Sequence, residues 1–560
     1  MKQITRIALL FIGATISFFP TLAQAQTYGG AVLDHDIMMP TEMASLSQTQ
    51  VFGTARSMAM GGAFTSLGGD IASVSINPAG LGMFSSSVFS LTPMVSAAKA
   101  STAGAPSWVG NSRTNFSMAN MGATFNLSER ASGSLIALNA AITYNRIADY
   151  NTRTSFSSES MYNSSNNNLV PTIADVFMYQ LDGGNLYPSS SGSMDYDNNP
   201  YYWPAQSAYK TYMLDPESGN SGWTTNTIGH NASVLSSYEV WQKGRTDEYT
   251  FALGGNIGNV VYFGATLALQ EISQKTEYVY QEEFNYYDDN GYAYASASDD
   301  EPLDYQAAYS NLWQRTELSG AGVNLKLGLI ARPTRALRIG VAYHSPTYYS
   351  IARTYQTSTE TSILGNYSDL VAQETFISTS PEFIDNYEYS WKFRTPSKLL
   401  LGGSLQFGSF GIISVDYERQ WYNWIRVTNA PGDLTPYDYQ VEYENNYQPT
   451  NTLRIGVEVK PTPQVALRAG GGMSSSMLRD ESLFYSSPTA TDSNYMTFGV
   501  GFQFSPTTTL DLAYQLYRQN YSSYKLFYVQ NSAGEDISSS NLFNSSLDQN
   551  FITATLTFRL

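Results

Sequence analysis

The chain has no cysteine, which excludes a disulfide framework and any thiolate-held metal. Histidine is scarce. His35, His230 and His344 are dispersed at no metal-ligand spacing, and none joins a serine and an acid in a hydrolase pattern. Charged residues make up only 14% of the 560, and 47 acidic against 30 basic residues give a formal net charge of −17. Such a surface repels phosphate backbones, so nucleic acid is excluded as a partner. Past the N-terminus, no apolar run approaches the about 20 residues that a membrane helix requires.

Short motifs of chemistry also fall away. DYDNNP (195–200) begins like a calcium loop, but Pro200 stands where glycine is needed and Gln206 where glutamate is needed. GGNIG (254–258) sits at a turn between two strand-like runs, not ahead of a helix, so it is no dinucleotide loop. Ser and Lys in SSYK (522–525) have no oxyanion partner. No catalytic residue, cofactor or metal site is expected, and the chain does not read as an enzyme.

What is present points outward from the cell. Lys2 and Arg6 precede the apolar IALLFIGATISFF, and small residues around Ala23 and Ala25 follow. Residues 1–25 read as an export signal, with the mature chain starting at Gln26. Aromatics reach 14%, with 42 tyrosines. In FITATLTFRL (551–560), Ile552, Ala554, Leu556, Phe558 and Leu560 alternate with Thr553, Thr555, Thr557 and Arg559. Side chains alternate between the faces of a strand, so one face is apolar and the other polar.

The same period recurs in pairs around short turns, as in Val323–Leu329 and Leu337–Tyr343 about RPTRA, or Leu453–Val459 and Val465–Ala469 about KPTPQ. Fourteen strands are expected, near 86–96, 116–127, 134–145, 249–258, 260–272, 318–332, 336–349, 397–408, 410–422, 450–460, 464–475, 494–505, 508–519 and 550–560. Connections after even-numbered strands are short and those after odd-numbered strands are long. That asymmetry, with an even strand count, is the mark of a transmembrane antiparallel β-barrel in a Gram-negative outer membrane, its long loops extracellular. The alternative is a secreted adhesin of several sandwiches. Pro93 falls within the first strand, where it either kinks the wall or ends the strand.

Residues 26–85 lack the strand period. Gly61 and Gly62 permit tight turns and close backbone approach, and Pro78 holds Asn77 extended. A small folded insert inside the barrel, a plug ahead of the barrel at 86–560, fits this composition. Inward cations follow from parity: Lys326, Arg338, Arg454 and Arg468 oppose lipid-facing Leu, Ile and Val. They could hold a carboxylate, pair with lumenal acids such as Glu458 beside Arg454, or hold the plug. Tyr201, Tyr202, Trp203 and Tyr209 in a long loop are candidates for capturing an apolar solute or for packing the loops together.

The run GTARSMAMGGAFTSLGGDIASVSINPAGLG resembles the N-terminal hatch of the FadL/OmpP1/TodX-type outer-membrane transporters of hydrophobic compounds, with Asn77, Pro78 and Ala79 on that family's Asn-Pro-Ala signature and Gly80 completing the plug motif. GAGVNLKLGLIARPTRALRIGVAYHSPTYY (320–349) and LRIGVEVKPTPQVALRAGGG (453–472) resemble its later hairpins. The resemblance implies a fourteen-stranded barrel closed by an N-terminal plug. It also implies uptake of long-chain fatty acids or similar hydrophobic small molecules, caught among outer loops, passed to the lumen and released sideways. Expected partners are such molecules, outer-membrane lipids, and the outer-membrane assembly machinery through the C-terminal strand. A hydrophilic-solute porin, or a barrel serving adhesion through its loops, is the other class of function.

Overall fold

The computed structural model describes residues 27–33, 39–103, 112–127, 134–161, 170–225 apart from 196 and 198, 232–286, 306–364, 370–378, 390–429, 435–479, 488–531 and 534–560. The expected export signal lies outside these residues. The chain opens with β1 (Thr27–Gly29), α1 (Pro40–Leu46), α2 (Ala55–Ala59), α3 (Ser73–Ile76) and a 3₁₀ turn over Pro78–Met83. The wall follows as β2 (Val88–Ala103), β3 (Ser112–Asn126), β4 (Leu135–Asp149) and β5 (Thr152–Met161). A long excursion carries α4 (Ile173–Gly183), α5 (Trp203–Lys210), β6 (Leu214–Pro216) and β7 (Trp223–Thr225). Then come β8 (Ala232–Ile257), β9 (Val261–Tyr286), β10 (Gln306–Ala331), β11 (Leu337–His344), β12 (Tyr348–Leu364), β13 (Leu370–Ser378), β14 (Ser390–Arg394), β15 (Lys398–Phe407), β16 (Gly411–Trp421) and β17 (Arg426–Asn429). The last part holds α6 (Pro436–Asn446), β18 (Pro449–Thr462), β19 (Val465–Ser474), β20 (Ala490–Gln503), β21 (Thr508–Tyr521), β22 (Tyr524–Lys525), β23 (Tyr528–Gln530), β24 (Asp536–Ser539) and β25 (Leu542–Arg559).

These strands close a fourteen-stranded antiparallel barrel, the last strand β25 pairing back on β2. Closure leaves no free sheet edge for lipid to meet. Four of the fourteen wall strands are interrupted, so that β4 and β5, β11 and β12, β14 and β15, and β16 and β17 form consecutive halves of one wall position. Pro346 and Pro396 sit in two of the breaks, where a residue without an N–H cannot extend a ladder. Parity is as expected: Leu325, Leu327 and Leu329 are 45–48% exposed on the lipid face, whereas Lys326 between them is buried at 4%.

Pro93 does not end β2. The strand runs through it, and its pairing with β3 shifts register between Thr92 and Pro93. Near this level β3 leaves its other neighbour. It pairs with β2 from Ser112 to Thr124 but with β4 only over Asn120–Asn126. Among the described residues, 112–119 have no ladder partner on the β4 side.

β8, β9 and β10 each run 26 residues, roughly 85 Å of strand at 3.3 Å per residue. This is far more than an apolar band about 25 Å tall needs, even for tilted strands. Sequence reading placed only their lower parts, because beyond the band the outward face turns polar and the apolar residues pass to the inward face, where Tyr238, Tyr280 and Leu312 join the cap core. At the long-loop end a cap is built on a core that includes Val32, Phe156, Ile173, Phe177, Tyr238 and Phe527. The N-terminal β1 belongs to this cap. It pairs with β23, which pairs in turn with β24.

Candidate functional site

The plug is shaped by residues that the rest of its sequence could not replace. Thr54 caps α2 by accepting from Ser57 N, and Gly61 and Gly62 then turn the chain at φ +62° and +68°. Asn77 Oδ1 accepts from Ala79 N at 3.1 Å, and Asn77 Nδ2 donates to Thr65 O at 2.6 Å. It also reaches Leu329 O and Val341 O of the wall, each at 3.4 Å. Pro78 then opens the 3₁₀ turn, where its missing N–H costs nothing. Ala79 is fully buried, and a Cβ on Gly80 would lie 2.7 Å from the Ser73 side chain. The Asn-Pro-Ala-Gly run is thus a structural joint, one that pins the plug to itself and to the wall.

The wall is hollowed to receive it. Gly264 and Gly328 face each other across β9 and β10, where a Cβ would lie 2.3 Å from Pro78 O and 1.9 Å from Asn77 Oδ1. Gly340 and Gly456 do the same, at 2.2 Å from Thr65 O and 2.3 Å from Met60 O. Inward-facing glycines on several strands therefore let plug backbone lie directly on wall backbone.

Buried charges tighten this seat. Lys326 Nζ lies 2.6 Å from Glu248 Oε1 and donates to Ser75 O of the plug at 3.1 Å. Arg338 donates to Leu67 O at 2.7 Å. Plug residue Arg56 meets Glu458 at 2.9 Å, and Arg468 bridges Glu458 and Asp511 at 2.6 Å each. Plug amide Thr65 N donates to Asp416 Oδ2 at 2.7 Å. Arg454 pairs with Glu418 at 2.9 Å, not with the Glu458 that lies four residues along its own strand. Asp416 stands directly opposite Arg454 and Glu418 is its diagonal cross-strand neighbour, about 7–8 Å away, whereas residues four apart on one strand are about 13 Å apart, so the cross-strand acid wins.

Above the plug lies a lumenal cavity of about 330 Å³. Its lining includes Tyr150, Tyr238, Tyr278, Tyr422, Tyr495 and Tyr517, interleaved with threonines and glutamines, and among the four sequence-expected cations only Arg454. A smaller space of about 130 Å³ lies nearer the plug and touches Lys326, His344, Lys398 and Arg454. Tyr201, Tyr202, Trp203 and Tyr209 lie in the cap and do not line the larger cavity. Tyr201 stacks on Tyr28 at 6.2 Å, Trp203 donates to Asp197 O at 2.9 Å, and Tyr209 meets Trp223 edge-on at 5.5 Å. Sequence reading missed the cavity tyrosines and the inward acids Glu248, Glu418, Asp416 and Asp511. The acids carried a usable signal, a charge opposite lipid-facing residues on an otherwise apolar strand.

Where β3 parts from β4, the plug segment fills in. Gln50 N donates to Ile147 O at 2.8 Å, and Gln50 Oε1 accepts from Asp149 N at 2.9 Å. Gln50 Nε2 reaches Gln549 Oε1 of β25 at 2.9 Å. One residue thus stands in for the missing strand partner and ties three parts of the molecule together.

The fold and the seated plug define a plugged outer-membrane-type β-barrel. Residues 302–559 match the model of the family described as outer membrane protein transport protein (OMPP1/FadL/TodX). Among solved structures, a Pseudomonas aeruginosa FadL homologue is similar at 12% identity over 91% of this chain and 99% of that one, with a TM-score of 0.47. The Pseudomonas putida toluene transporter TodX is similar at 14% identity over 92% and 100%, with a TM-score of 0.47. The Ralstonia pickettii toluene transporter TbuX is similar at 14% identity over 91% and 98%, with a TM-score of 0.45. No curated protein matches the chain in sequence.

Proposed function

We propose that the barrel carries hydrophobic small molecules inward across the outer membrane, with the cap facing outward and release through the wall. The observation that carries this reading is the unpaired stretch of β3 beside the lumen, sealed from inside by Gln50. A passage straight down the lumen would have to break the glycine seat and several buried ion pairs. Among the described residues, a passage sideways meets Gln50 and side-chain bridges such as Ser96 to Asp149, at 3.1 Å. Capture in the cap, residence in the tyrosine-lined cavity and exit between β3 and β4 are the three stages of the proposed route.

The cavity also speaks to substrate. Lys326, Arg338 and Arg468 are engaged with the plug or with wall acids, and Arg454 is paired with Glu418. A carboxylate would have to compete with those partners. Tyrosine faces flanked by hydroxyl and amide groups favour uncharged or ring-bearing hydrophobic molecules over a fatty-acid anion.

Native mass spectrometry of the purified protein, followed by lipid extraction, tests the reading. Co-purifying hydrophobic molecules that are displaced on substituting Tyr422 and Tyr517 are the expected result. An empty protein that conducts ions freely in a planar bilayer would overturn it in favour of a hydrophilic porin.

A further inference from the structure

Outside the barrel, just past its lipid-facing band, the wall carries a groove of about 590 Å³. Its floor is made of outward residues of adjacent strands. Lys243 stands directly opposite Lys275, and Lys275 opposite Glu317. Ser273, Ser319 and Ala352 form the next row toward the lipid band, and small side chains keep the surface concave. One rim is Phe116, 72% exposed on the part of β3 that has left β4.

Three features set this groove apart. First, in a chain of net charge −17, its lining holds four cations, Arg146, Lys243, Arg245 and Lys275, against the single carboxylate of Glu317. Second, two of the cations face each other in register. Directly opposed like charges destabilise a sheet unless something of the other sign lies between them. Lys275 has a partial partner in Glu277 at 2.8 Å, and Arg245 and Arg146 share Asp247 at 2.7 and 3.1 Å. Lys243 is exposed and has no ion pair among the described residues. Third, the level is defined. Arg245 lies four residues beyond Tyr249, and Ser273 four beyond Leu269, both of which are over 40% exposed on the lipid face. At about 3.3 Å per residue the cations stand roughly 13–20 Å above those rows along the tilted strands, at the depth of lipid headgroups.

We propose that this groove holds the phosphate of an anionic lipid headgroup in the leaflet around the cap side of the barrel. Lys243, Lys275 and Arg245 grip the phosphate, and Phe116 lies along the first part of an acyl chain. Cationic recesses at the headgroup level are the general means by which membrane proteins retain such lipids. The bound lipid relieves the Lys243–Lys275 opposition and covers the free edge of β3. The inference rests on the cap facing outward, which makes the occupant a phosphorylated glycolipid of the outer leaflet.

The test uses the full-length protein in detergent, with native mass spectrometry and titrated lipid A carrying two phosphates, lipid A stripped of phosphate, and palmitate. One equivalent of the phosphorylated form is expected to persist, with about tenfold or more weaker retention in the double variant Lys243→Gln/Lys275→Gln. Heat-modifiable migration on gels confirms that the variant is a folded barrel. Equal retention of the dephosphorylated form, or no loss in the variant, overturns the proposal. Retention of palmitate that the variant abolishes also overturns it, because the groove would then serve a departing carboxylate. Protease shaving of intact cells at the cap reports orientation separately. Ligand in the lumenal cavity is read in the same spectra, so failure of this site is distinguishable from failure of the transport reading.

Discussion

At the scale of single residues, the plug is held by contacts that tolerate no added atom. Gly328→Val would drive a side chain into Asn77, whereas Gly403→Val adds one where nothing lies within 4 Å. The first variant is expected to assemble as a barrel with an unseated plug and raised bilayer conductance, and the second to match the parent protein. Lys326→Met leaves Glu248 buried without its cation, a loss of about 3–5 kcal/mol in local stability. Faster hydrogen exchange over residues 73–80 would report it, and adding Glu248→Gln should restore part of the protection. In the cap, Glu282 lies thirteen residues beyond Leu269 and is fully buried, accepting from Ile173 N at 2.9 Å. Burial pushes its carboxyl up to about 8 from an ordinary 4.5. The folded cap therefore holds a proton that the unfolded chain gives up between those values. That contribution is complete below the ordinary carboxyl range and is lost as pH rises through about 8. Fluorescence of Trp203 and Trp223 should show the cap loosening between pH 6 and 9, and Glu282→Gln should flatten the response.

At the scale of elements, two segments act as links. The β1 strand is joined to the cap, since Ala31, Val32 and Leu33 are buried in its core and Tyr238 donates to Ala31 O at 3.1 Å. From Met39 to Val51 the chain lines the lumenal cavity on its way to the plug, so the cap strand and the plug belong to one N-terminal segment. Val32→Asp puts a carboxylate into that core, and loss of protection over residues 528–539 with a plug left intact is the expected outcome. The second link is the Gln50 bridge. Gln50→Ala removes the acceptor for Asp149 N and the bond to Gln549 while keeping the backbone bond to Ile147 O. Amide exchange at 147–149 should rise, and hydrophobic uptake should quicken if the route runs between β3 and β4. Unchanged exchange there would show that Gln50 does not hold the gap.

At the scale of the whole molecule, the wall closes on itself and the plug lies within it. Apart from β3, whose pairing with β4 covers only Asn120–Asn126, the wall strands pair on both sides, and the plug adds no strand to the ladder. Removing residues 39–84 should therefore leave a closed, heat-modifiable barrel with a wide, weakly selective pore. Single-channel conductance would measure it, and failure to assemble would mean that the plug is part of the folding unit. The lipid-facing girdle and the groove above it predict that this pore would still sit at the same depth in a bilayer.

The sequence alone determined the strand count, the faces of each strand, the short-turn and long-loop ends, and the presence of a plug around Asn77-Pro78-Ala79. All of these rest on local order: a period of two, turn residues, and a stretch where the period stops. What only the tertiary structure decided depends on which strands become neighbours. It paired Arg454 with Glu418, set Gly328 beneath Asn77, gathered eight tyrosines from distant parts of the chain around one cavity, and placed Gln50 at the edge that β3 vacates. It also extended β8, β9 and β10 well past the lipid band, where the outward face is no longer apolar and the inward face packs into the cap. Parity along a strand is written in the chain. Register between strands, and the path of a plug inside them, arise only when the sheet closes and side chains from opposite ends of the sequence compete for the same space.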